Sequence, residues 1–121
     1  MLKKLALSLG LAASLAMPAA AQETARLNID RVDSPAIECN LEANTMYREV
    51  YVITPPGYDE NPDARYPVVY FLHGYWGSPE RYAKHHIDFT AAVDKAAAAG
   101  HPMILVVPNG DSKWKGAFYS S

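Results

Sequence analysis

Beyond its first 21 residues the chain alternates short apolar segments with clusters of turn-forming residues. Residues 22–45 are polar and mixed, and the weak alternation of Leu27, Ile29 and Val32 predicts an edge strand followed by a loop around Pro35. Residues 46–54 predict a firmer strand, because Tyr47, Val50, Tyr51, Val52 and Ile53 are aromatic or β-branched and Pro55-Pro56-Gly57 stops them. Asp59, Asn61, Pro62 and Asp63 then supply turn chemistry for a solvent loop. Residues 67–72 (Pro-Val-Val-Tyr-Phe-Leu) contain no polar member, which suits a strand buried on both faces, as in a parallel sheet.

After that run, His73-Gly74-Tyr75-Trp76-Gly77 breaks the pattern, and Ser78-Pro79 reads as an N-cap with proline at the first helical position. A second helix begins at Asp88 or Thr90 and runs to Ala99. It carries Phe89, Val93 and Ala96/Ala97 on one face, Gly100 at its C-terminal cap and Pro102 to prevent continuation. Residues 103–107 (Met-Ile-Leu-Val-Val) are a further apolar strand, closed by Pro108-Asn109-Gly110, and residues 111–121 read as loop.

Strand, loop, helix, strand is a βαβ unit, so the fold class is α/β with parallel strands. Ligands of such sheets bind at the carboxyl ends of the strands. Residues 73–78 and 108–121 reach that edge, and both are rich in glycine, aromatic and hydroxyl side chains.

The first residues read differently. Lys3 and Lys4 precede an uncharged Leu- and Ala-rich run over residues 5–16, then Pro18 and the small-residue site Ala19-Ala20-Ala21. This is the pattern of a cleaved signal peptide over residues 1–21, with cleavage before Gln22 and a secreted or periplasmic product. The run falls short of the about 20 apolar residues that span a bilayer, so no stable membrane anchor is expected.

Composition narrows the function. A chain of 121 residues with 50% hydrophobic and 20% charged residues and a net charge of −2 is a single ordinary globular unit at most. No basic run favours nucleic acid. The one cysteine, Cys39, excludes an internal disulfide framework and a cysteine-based zinc site. In an exported chain it has either lost a partner beyond residue 121 or acts as a small buried hydrophobe. His85 and His86 are adjacent on a helix, where side chains point about 100° apart, so they read as a solvated helix end and not as metal ligands. His101, before Pro102, faces water. The aromatics from Tyr47 to Tyr82 serve strand packing first, with a sugar- or base-stacking platform as the alternative. No metal and no cofactor is expected.

Thr54-Pro55-Pro56-Gly57-Tyr58, the stretch from Tyr66 to Gly74 (Tyr-Pro-Val-Val-Tyr-Phe-Leu-His-Gly) and Val106-Val107-Pro108-Asn109-Gly110 occur together. In combination they resemble the esterase-D-type branch of the α/β-hydrolases, which includes feruloyl and other carboxylesterases, S-formylglutathione hydrolases and mycolyltransferases. The resemblance covers residues 46–121. It implies that the loop after the third strand donates half of an oxyanion hole, through the backbone N–H of Tyr75, the residue after His-Gly. It also implies that His73 shapes the turn and is not the catalytic base. Gly74, Trp76, Asn109, Phe118 and Tyr119 are the expected binding residues; the other reading is a tight loop without chemistry for Gly74 and ordinary packing for the other four.

The family's nucleophile lies on a Gly-x-Ser-x-Gly elbow, with the Asp or Glu and the His after it. This sequence contains no Gly-x-Ser-x-Gly. Ser78 lies in the loop itself, and Ser112, Ser120 and Ser121 lack the flanking glycines. Residues 22–121 are therefore expected to be the N-terminal part of an α/β-hydrolase domain, cut off before its nucleophile and inactive alone; such domains run to about 200–250 residues. The implied function is an exported serine carboxylesterase working through an acyl-enzyme on a small-molecule or polysaccharide-linked ester. An acyltransferase on the same scaffold and a small exported carbohydrate-binding module are the alternatives. S-formylglutathione hydrolysis fits less well, since that substrate is cytosolic.

Overall fold

The computed structural model describes residues 23–41 and 43–114. The signal segment and its cleavage point lie outside the described residues, as do Phe118 and Tyr119.

A mixed sheet is built from β1 (Arg26–Asp33), β2 (Tyr47–Thr54), β3 (Val68–Tyr70) and β4 (Ile104–Pro108) in the spatial order β1-β2-β4-β3. β1 pairs antiparallel with β2, from Arg26 opposite Thr54 to Asp33 opposite Tyr47. β2 pairs antiparallel with β4, and β3 pairs parallel with β4, Val69 lying opposite Leu105. A short 3₁₀ turn (Pro35–Ile37) follows β1, and the helices α1 (Pro79–His85) and α2 (Phe89–Ala98) connect β3 to β4. The β3–helix–β4 crossover is the expected βαβ unit. The fold is thus α/β, and it forms part of a sheet.

Local chemistry sets the helix ends. Ser78 Oγ accepts the Arg81 N–H at 3.2 Å with Pro79 next in line, which opens α1. Asp88 opens α2. Its carboxylate accepts the Ala91 N–H at 3.0 Å and the Thr90 hydroxyl at 2.7 Å, and these bonds hold its carboxyl below the ordinary range. Gly100, at φ +82°, takes the left-handed conformation that ends α2, a conformation that favours glycine.

The core lies between α2 and one face of the sheet. Phe89 and Val93 pack onto Tyr51 and Ile53 of β2 and Leu105 and Val107 of β4. Ile53, Val93 and Val107 are fully buried, each worth about 1.5–3 kcal/mol relative to exposure. Phe71 meets Phe89 edge-on at 5.3 Å between centroids and meets Tyr82 of α1 at 5.4 Å.

Two expectations need correction. The 67–72 run was expected to be buried on both faces, yet Val68, Val69 and Tyr70 are exposed by 47%, 43% and 66%. The cause is position: among the described residues β3 stands at the edge of the sheet, paired only with β4, and the helices pack on one face. β4 itself alternates between buried and half-buried residues, because its second face has no covering layer among the described residues. Cys39 is the other case. It is exposed, at φ +56°, which removes the buried-hydrophobe reading.

Candidate active site

Because β3 and β4 run parallel, the segments that follow them emerge at the same edge of the sheet. Phe71 N–H still reaches Val106 O at 2.9 Å, so β3 keeps its alignment up to the threshold of the loop. His73 then turns inward and is 3% exposed, while Gly74, Tyr75 and Trp76 face outward.

Residues 74–77 form a tight turn closed by Gly77 N–H to Gly74 O at 3.0 Å. Its third residue, Trp76, has φ +64°, the sign a type II turn demands there and one that bulky side chains seldom adopt. Holding a tryptophan in that region costs of order 1–3 kcal/mol, supplied by the surrounding contacts. Gly77 is required for a different reason. A β-carbon on it would lie 2.7 Å from Gly74 O, 2.8 Å from Tyr82 Cε2 and 3.0 Å from His73 Nδ1.

The Gly74 unit is gripped at both ends. Its N–H donates to Tyr82 Oη at 3.3 Å, and its carbonyl, besides taking the Gly77 N–H, lies 3.1 Å from His73 Nδ1. No peptide among the described residues is cis. In a trans peptide the carbonyl and the following N–H point in opposite directions. The Tyr75 N–H therefore points opposite to the Gly74 carbonyl.

Hydrogen bonds join this turn to the segment after β4. Gly110 N–H donates to His73 Nε2 at 3.0 Å, and Tyr75 Oη donates to Trp114 O at 3.2 Å. Of the other expected site residues, Trp76 is 62% exposed, its ring 6.0 Å from that of Tyr75. Asn109 is placed toward β2: its N–H reaches Glu49 O at 3.2 Å and its side chain accepts the Asp111 N–H at 2.8 Å. It lines a cleft with Arg48, Thr45 and Tyr47. Tyr82 was missed by sequence reasoning; its only signal was the helical position that brings its hydroxyl back over the turn.

A cleft of about 710 Å³ lies at the other end of the sheet, between Glu23, Gly57, Asp94 and Pro102. Its carboxylates already serve the backbone: Asp94 accepts the Ala25 N–H at 2.7 Å and Glu23 the Gly57 N–H at 2.9 Å.

A parallel β-strand pair delivering a His-Gly turn and a Pro-Asn-Gly turn to one edge is the arrangement of an α/β-hydrolase sheet. Residues 43–121 match the sequence profile of the family described as "Putative esterase", and the chain belongs to that family. A solved ferulic acid esterase superposes with a TM-score of 0.61 at 25% identity, over 75% of this chain and 33% of that one. The chain thus spans a third of that protein's length. No curated protein matches.

Proposed function

We propose that this chain forms the oxyanion-stabilising part of an exported carboxylic ester hydrolase. The observation that carries the reading is the fixed Gly74 carbonyl, which takes the Gly77 N–H at 3.0 Å and lies 3.1 Å from His73 Nδ1, and from it we infer the direction of the Tyr75 N–H at the other end of the same peptide. An N–H fixed before the reaction needs no reorganisation as charge develops on an ester carbonyl oxygen, which is how such donors accelerate acyl transfer.

In the mechanism proposed, a serine hydroxyl attacks the ester carbonyl, its proton passing to a histidine base. The tetrahedral oxyanion rests on the Tyr75 N–H, collapse expels the alcohol, and water then hydrolyses the acyl-enzyme. His73 is not that base, because both its ring nitrogens are engaged by Gly74 and Gly110. Since no Gly-x-Ser-x-Gly occurs in the sequence, the nucleophile and its partners are assigned to residues outside these 121. Gly74, Trp76 and Asn109, with Phe118 and Tyr119, are proposed to border the substrate. Aryl esters of the feruloyl type are the first class to try, given the exposed Tyr75–Trp76 pair and the ferulic acid esterase likeness.

The test is hydrolysis of p-nitrophenyl acetate and methyl ferulate by the 121-residue chain and by a chain extended along the reading frame past Ser121. The extended chain is expected to turn over both esters and to capture a fluorophosphonate on an elbow serine, whereas the shorter chain does neither. An extended chain without turnover on any carboxylic ester would end the proposal. So would turnover by the shorter chain through one of its own serines.

A further inference from the structure

We propose that His73 is a positioning residue whose neutral imidazole, carrying its proton on Nδ1, braces the Gly74–Tyr75 peptide against the loop that follows β4. Its partners fix the tautomer. Gly110 N–H can only donate, so Nε2, at 3.0 Å, must present its lone pair. Gly74 O can only accept, so Nδ1, at 3.1 Å, must carry the hydrogen. The other tautomer would set N–H against N–H at one end and a lone pair against a carbonyl at the other. An imidazolium would lose the Gly110 bond.

The brace joins residues 37 positions apart in the sequence, and the ring that makes it is 3% exposed, where an unmade hydrogen bond is costly. Its two ends do different work. Nδ1–H shares the Gly74 carbonyl with the Gly77 N–H and so sets the orientation of the peptide whose other end is the Tyr75 N–H. Nε2 ties that peptide to the segment from Gly110 onward, in which Trp114 accepts the Tyr75 hydroxyl. The oxyanion donor and the loop after β4 therefore hold one position together, a consequence for catalysis that rests on the esterase reading. The brace itself does not rest on it.

Nitrogen-15 NMR of the full chain reads the tautomer directly. Protonated Nδ1 and bare Nε2 are expected at His73; the Nε2–H form, or averaging between the two, overturns the proposal. Three variants then separate the ends. His73→Asn keeps a donor near the Nδ1 position, so it retains the Tyr75 and Gly77 amide shifts but speeds Gly110 amide exchange about tenfold, as expected for a lost buried hydrogen bond. His73→Gln places an acceptor near the Nε2 position and does the reverse. His73→Leu loses both. Equal behaviour of all three variants would reduce His73 to a space-filling residue and overturn the proposal, and the wild-type tautomer decides even if a variant fails to fold. If the brace holds while the extended chain hydrolyses no ester, it is the esterase reading that fails.

Discussion

Replacing Phe89 with alanine is expected to remove about 3–5 kcal/mol of stability, the usual cost of deleting a buried phenyl group. Against a typical total of about 5–15 kcal/mol, that loss leaves a substantial unfolded fraction under ordinary conditions. Phe89 is 4% exposed at the first turn of α2, within the cluster that joins helix to sheet. Its ring also begins a sequence of edge-on contacts, Phe89 to Phe71 at 5.3 Å and Phe71 to Tyr82 at 5.4 Å, which ends at the hydroxyl accepting the Gly74 N–H. The variant should therefore loosen the His-Gly turn as well as the core. Urea denaturation followed by circular dichroism measures the first effect, and Gly74 amide exchange the second. A loss below about 1 kcal/mol would mean that the site collapses around the deletion far better than such sites do.

The second large effect is expected from Gly77→Ala. The new β-carbon meets a backbone carbonyl at 2.7 Å, and that oxygen cannot swing aside as a side-chain tip would. Overpacking of this kind costs about 1–3 kcal/mol, and relief comes by opening the turn and breaking the Gly77–Gly74 bond. Gly74→Ala should be milder, because its β-carbon meets the Tyr82 hydroxyl at 3.2 Å, the far end of a side chain and not a backbone carbonyl. Gly100→Ala is a useful contrast: nothing lies within 4 Å of its β-carbon, so its cost comes only from φ +82°. Thermal melts rank the three, and loss of the Tyr75 and Gly110 amide shifts should appear in Gly77→Ala and not in Gly100→Ala. The reverse ranking would contradict the steric account.

These outcomes show which parts of the molecule the residues announce. Signals that act within a few positions were legible: Ser78-Pro79 and Asp88 start helices where capping chemistry says they should, and Gly100 ends one. The parallel pairing of β3 and β4 followed from two apolar runs flanking a helical stretch, and with it the edge where the loops meet. What escaped depends on long-range placement. An unbroken apolar run states what a strand tolerates on both faces, not which faces are covered, so the exposure of Val68 and Tyr70 could not be read from it. The insertion of β4 between β2 and β3 has no local signature. Nor does the His73–Gly110 bond, since neither residue type demands the other. Trp76 at φ +64° runs against its own preference and is imposed by the turn around it.

The central claim is that the Tyr75 N–H stabilises an oxyanion, and one atom can be tested by itself. Incorporating the α-hydroxy analogue of tyrosine at position 75 of the extended chain replaces the Gly74–Tyr75 amide with an ester and leaves the side chain intact. The same exchange at Trp76 serves as the control. The account predicts a fall in kcat of about 10²–10³ at Tyr75, with KM little changed and a much smaller effect at Trp76. A kcat within about twofold of the all-amide enzyme would contradict it, since one lost oxyanion donor should cost far more.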